Sequence, residues 1–125
     1  MDKNGWSGKI IGACIEVHRS LGPGLLESIY QECLAREFSL QAIPFQKEVA
    51  KPIEYKGVLM DCGLRLDFLV GNMVVVELKS VEKILPVHKA QVLTYLKLTA
   101  CKLGLLINFN VSVLKDGVER VVLGL

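Results

Sequence analysis

The stretch Arg65-Leu-Asp67-Phe-Leu-Val-Gly-Asn-Met-Val-Val-Val-Glu77-Leu-Lys79 constrains this chain more than any other. Two apolar runs flank Gly71-Asn72, the pattern of a β-hairpin. With a two-residue turn, Val70 would face Met73, and Glu77 would point to the opposite side of the sheet from Asp67. A three-residue loop over Gly71 to Met73, or one bulge, sets Val70 opposite Val74 and Asp67 opposite Glu77. One face then carries Leu66, Phe68, Val70, Val74, Val76 and Leu78. The other carries Arg65, Asp67, Leu69, Val75, Glu77 and Lys79. Only this second register sorts apolar from charged residues, so it is the one expected.

Asp67, Glu77 and Lys79 need an explanation, because burying an ion costs several kcal/mol unless something pairs with it. A divalent cation held by Asp67 and Glu77, with Lys79 facing a phosphate, would supply one. The alternative is a structural ion-pair cluster of Asp67, Glu77, Lys79 and Arg65, which predicts neither metal affinity nor a cleft.

The rest of the chain arranges itself around this hairpin. Trp6 to Ser20 reads as a first helix, with Ile10, Ile11, Cys14, Val17 and Leu21 on its apolar stripe. Leu21-Gly-Pro-Gly24 stops it. Leu25 to Leu40 reads as a second helix, its core side formed by Leu26, Ile29, Tyr30, Cys33, Leu34 and Phe38. Glu27 lies in its first turn, where a carboxylate favours the helix dipole, and shares a face with Tyr30. Pro44 to Val49, Ile53 to Lys56 and Val58 to Cys62 read as strands, with Pro52 breaking between the first two. Pro86 to Thr99 reads as a third helix opened by its proline, with Ala90, Val92, Leu93 and Leu96 buried. His88, Gln91 and Tyr95 form a polar stripe beside them. Lys102 to Phe109 is a continuous apolar run, expected of a strand buried on both faces. Val118 to Leu123 is a final strand. The order, ααβββ(β)αββ, is that of an α/β (α+β) fold: a mixed central sheet flanked by helices.

At 125 residues and 51% apolar composition, one domain over residues 1–125 is expected, with residues 1–8 as a flexible tail. No apolar run approaches the ~18 to 20 residues of a membrane span, and the N-terminus lacks a secretory pattern, so a cytoplasmic location is expected. The net charge of +2 excludes little. The lysines form no basic block, so a nucleic-acid partner would need a shaped groove to concentrate them. Cys14, Cys33, Cys62 and Cys101 contain no C-x-x-C pair, which argues for reduced thiols over structural zinc.

Asp67, the Glu77-Leu-Lys79 triplet on the next strand and Gln91 on the following helix together resemble the PD-(D/E)XK nuclease superfamily. Within it the text is similar to the small GxxExxY family, through Glu16-Val-His18, Gly24-Leu-Leu-Glu27-Ser-Ile-Tyr30, His88-Lys-Ala-Gln91-Val-Leu-Thr-Tyr95 and Gly104-Leu-Leu-Ile-Asn108. The likeness runs from about Ile10 to Val122; the Pro of the superfamily's Pro-Asp is absent before Asp67.

The resemblance implies a restriction-endonuclease-like core that hydrolyses nucleic-acid phosphodiesters, DNA above all, with Mg²⁺ or with Mn²⁺ as substitute. Asp67 and Glu77 would be metal ligands, joined by the backbone carbonyl of Leu78 and by Glu27. Lys79 would orient the attacking water or stabilise charge on the phosphorane, and Gln91 would complete the catalytic set. Tyr30, His88 and Tyr95 would be substrate-side contacts. A homodimer or partner subunit would complete the groove. The competing reading is a non-catalytic nucleic-acid-binding or protein-interaction module that keeps the fold. A glycosidase using Glu27 and Glu77 explains neither Asp67 nor Lys79.

Overall fold

A computed structural model of the chain describes residues 1–124. Helix α1 spans Lys3–Leu21, starting earlier than its apolar stripe implies, because Asp2 caps it by accepting a 2.9 Å bond from the Gly5 N–H. Most of the segment expected to be a tail is thus helical, and Ser7 is buried. Gly22, at φ 71°, ends the helix and donates its N–H to the His18 carbonyl at 2.8 Å. Helix α2 spans Glu27–Leu40, with Tyr30, Leu34 and Phe38 fully buried at successive i,i+4 positions. That stripe decides the helix's orientation. Leu26 and Ile29, expected in the core, are exposed, Leu26 by 71%.

The strands are β1 (Phe45–Ala50), β2 (Ile53–Tyr55), β3 (Val58–Met60), β4 (Arg65–Val70), β5 (Val74–Lys79), β6 (Leu103–Asn108) and β7 (Val118–Val122), with α3 (Pro86–Thr99) between β5 and β6. Five strands therefore lie between α2 and α3, more than the order read from sequence counted. The main sheet has the order β1-β4-β5-β6-β7; β5 and β6 are parallel and the other pairs antiparallel. A parallel pair needs a crossover, which α3 provides. β2 and β3 form a separate ribbon.

Residues alternate along β5 between two cores. Val74, Val76 and Leu78 pack under α1 and α2 with Phe68, Leu105 and Ile107. Val75 packs under α3 with Leu69, Val92, Leu96 and Leu106. Every residue of β6 is buried, as its apolar run requires. Each large side chain so buried stabilises the fold by about 1.5–3 kcal/mol. Phe38 meets Phe68 edge-on at 5.2 Å between ring centroids, tying α2 to β4. A Cβ on Gly104 would lie 2.5 Å from Val92 Cγ1, so the missing side chain is what lets α3 seat on β6.

The β4–β5 register is the expected one: Val70 pairs with Val74, Leu69 with Val75 and Phe68 with Val76 around a loop of Gly71, Asn72 and Met73. One residue departs from the expected faces. Leu66 packs in the α3 core with Leu69 and not with Phe68. Strict alternation fails between them, at Asp67.

Candidate active site

The β4–β5 ladder ends at Phe68–Val76, and one step further the two carboxylates take over from the backbone. The Asp67 N–H donates to Glu77 Oε1 at 2.6 Å, and the Leu78 N–H donates to Asp67 Oδ2 at 2.8 Å. Each acid thus accepts from the strand that carries the other, in the gap where the strands part. On the other side, β1 pairs with β4 on both sides of the Glu48–Asp67 position but not at it, and Glu48 is held at φ 53°. A left-handed non-glycine residue in a strand costs of order 1–3 kcal/mol, and such strain concentrates at functional sites. Both neighbours of β4 release it at Asp67.

Helix α2 brings Glu27 to the same end of the sheet. Its Oε2 accepts from the Ser80 N–H at 3.4 Å, just past β5. Ser80 Oγ also donates to the Leu25 carbonyl at 2.5 Å. The corner between α1 and α2 is held from inside by Tyr30, whose hydroxyl donates to the Gly22 carbonyl at 2.6 Å and accepts from the Leu25 N–H at 3.2 Å. Tyr30 stacks on Phe109 at 4.4 Å and is 0% exposed. This overturns its expected place facing a substrate; it anchors the corner that presents Glu27. Tyr30→Phe leaves two inward backbone groups unpaired, so a loss of about 1–3 kcal/mol in urea denaturation is expected. An unchanged midpoint would show that the hydroxyl does not hold the corner.

Helix α3 supplies the third wall. Lys79 Nζ donates to Gln91 Oε1 at 3.5 Å. Tyr95, one turn on, is 2% exposed and donates its hydroxyl to the Arg65 carbonyl at 3.2 Å, so it too is withdrawn from solvent. His88 is half-buried and accepts the Leu85 N–H on Nδ1 at 2.9 Å, closing the first turn of α3. Asp67, Glu77, Lys79, Glu27 and Gln91 are therefore gathered at one sheet end. Tyr30, Tyr95 and His88 are engaged in holding the backbone around it.

The chain as a whole is similar to known proteins. The family model of the PD-(D/E)XK nuclease superfamily matches residues 4–121. The chain belongs to this superfamily. The solved structure of SSO0001 is similar, with a TM-score of 0.55 and 22% identity over 78% of this chain and 50% of that one. At that identity the likeness concerns the fold alone, and this chain spans half of that protein's length. No curated protein matches. Membership makes nuclease chemistry the frame for the site, and divalent metal dependence is typical of the superfamily. Among the described residues no helix is long and apolar enough to cross a membrane.

The electrostatics around Asp67 and Glu77 are those of a pair short of positive charge. Glu77, 5% exposed, has its pKa pushed up to about 8, first by burial and then by repulsion from Asp67, against the pull of the Asp67 N–H and of Lys79. Asp67 is also raised, chiefly by burial, with its bonds from Leu78 and Gln31 acting the other way. Burial, then the charges of Glu77 and Asp67, raise Tyr95 as well. Ion pairs among the described residues join Arg19 to Glu16, Lys47 to Glu32 and Lys89 to Glu119, none of them at this site. The structural ion-pair cluster is therefore not what holds Asp67 and Glu77.

The donor set suits a hard cation. Oxygen ligands alone are present, and Mg²⁺ keeps several waters, so one or two carboxylates suffice. Among the described residues no three His, Cys, Asp or Glu side chains converge closely enough to form a complete protein cage. A buried and a half-buried carboxylate, both with raised pKa values, are what a divalent ion would compensate. A cavity of about 230 Å³ opens beside them, lined by Glu27, Ser28, Gln31, Glu48 and Asp67. A larger one, about 430 Å³, lies at the other end of β5 by Asn72 and Cys101 and holds none of the site's carboxylates. All four cysteines are free thiols.

Sequence reasoning missed three participants. Gln31 bonds Asp67, Ser80 clamps Leu25, and buried Asn108 donates to the Val81 carbonyl at 2.8 Å and accepts the Val81 N–H at 3.1 Å. Gln31 was findable, since it lies one turn beyond Glu27 on the same helix face.

Proposed function

We propose that this chain is a nuclease of the GxxExxY type that hydrolyses phosphodiesters of DNA with Mg²⁺, or with Mn²⁺ in its place. The reading is carried by one observation: two interlocked carboxylates, the buried Glu77 and the half-buried Asp67, both with raised pKa values, stand at the same sheet end as a lysine. Asp67 and Glu77 would hold the ion, with the Leu78 carbonyl as a further oxygen ligand; Glu27, which does not converge with them as a third carboxylate, would act on it through a bound water. When bound, the ion supplies an activated water at neutral pH and neutralises charge on the phosphate oxygens.

The chain's own residues do the rest. Lys79, tethered by Gln91, offers its ammonium hydrogens to the attacking water or to a non-bridging oxygen, where negative charge grows in the transition state. Glu27, fixed through the corner held by Tyr30 and Ser80, faces the same cavity as Asp67 and adds negative charge on that side. A substrate phosphate is repelled by these carboxylates unless a cation intervenes, which links substrate binding to metal.

The test is incubation of purified protein with plasmid, linear duplex, single-stranded DNA and RNA, each with Mg²⁺, with Mn²⁺ and with chelator. Cleavage that needs the metal and is lost in Glu77→Gln supports the reading. Protein that binds metal and nucleic acid but cuts none of the four would instead be the non-catalytic module.

A further inference from the structure

We propose that Gln31 is a positioning residue that orients Asp67 for the divalent ion, an assignment that rests on the metal-dependent reading above. Gln31 lies four residues after Glu27, so both face the same way from α2. Its Nε2 donates to Asp67 Oδ1 at 2.9 Å, while Oδ2 receives the Leu78 N–H at 2.8 Å. With one donor on each oxygen, the carboxylate's rotation is fixed from two elements at once. A carboxylate has about four lone-pair sites, so each oxygen keeps one for a further partner. Gln31 and Asp67 both line the 230 Å³ cavity with Glu27 and Glu48.

The kind of donor matters as much as its position. A lysine at this place would neutralise Asp67 and compete with a cation. A carboxamide orients the oxygen and leaves its charge in full. Groups that hydrogen-bond a metal ligand typically set affinity by 10–100-fold.

The experiment is calorimetric titration of Mn²⁺ into metal-free wild type, Gln31→Met and Gln31→Lys, with thermal melts of the same samples. Gln31→Met keeps the side chain's length without the donor, and its Kd is expected to rise by about tenfold or more while its metal-free Tm stays near that of wild type. Gln31→Lys keeps a donor and adds charge, so its metal-free Tm is expected to rise and its Mn²⁺ binding to disappear. Wild-type affinity in either variant overturns the assignment alone. A wild-type protein that takes no Mn²⁺ overturns both the assignment and the metal-dependent reading.

Discussion

Lys79→Met is expected to lower DNA cleavage by about 100- to 1,000-fold, the cost of removing one preorganised donor from a developing charge. Its Mn²⁺ affinity is expected to be unchanged or tighter. Lys79 pulls down the proton affinity of both Asp67 and Glu77, so its ammonium acts on the pair as a competing cation. Methionine fills nearly the same volume and leaves Gln91 half-buried at the cleft, where water reaches its freed Oε1. Activity and affinity should therefore part company in this variant, which a merely structural lysine would not produce. The measurement is single-turnover cleavage beside calorimetry; cleavage within threefold of wild type would remove Lys79 from the chemistry.

The second large effect is on stability. In the unfolded chain Glu77 releases its proton near 4.5, whereas in the folded, metal-free protein it keeps it up to about 8. Between those values the folded state binds more protons, so stability falls as pH rises, with a slope approaching about 1.4 kcal/mol per pH unit for one full proton. Thermal melts in chelator from pH 5 to pH 8 are expected to show Tm dropping by about 5 °C or more. Glu77→Gln should flatten that slope, and Mn²⁺ should lift the wild-type Tm at pH 8 while leaving the variant where it is. A metal-free Tm that is level or rising across this window, in wild type as in the variant, would mean that Glu77 is not held protonated by its burial.

Much of the fold was legible because single residues left few choices. Only the three-residue loop sorts the hairpin into apolar and charged faces, and the strands pair that way as far as Phe68–Val76. Pro86 opens a helix that runs to Thr99 in both readings. The apolar run after Lys102 is buried on both faces. What escaped the sequence was set by contacts between distant segments. Leu66 changes face because β4 is released by both neighbours at Asp67, which no alternation rule anticipates. Tyr30 counts as an apolar-stripe residue and as a motif residue, and spacing cannot say whether its hydroxyl looks outward or, as here, into the Gly22–Leu25 corner. Lys3 to Gly5 lies before the helix that the apolar stripe marks out, and the Asp2 cap brings it in. The carboxylates were legible as an anomaly of charge in an apolar ribbon; Gln31 was findable by its place one turn after Glu27, but its bond to Asp67 was not, because it joins distant segments.

The central claim is that the Asp67–Glu77 pair is built for a divalent cation. Calorimetric titration of Mn²⁺ into metal-free wild type and Asp67→Asn tests it most directly, since asparagine keeps the shape and the bond from Leu78 while removing the charge. The expected result is saturable binding by wild type with proton release at pH 7, and its loss in Asp67→Asn. Equal binding by the two proteins, or none by wild type, would contradict it.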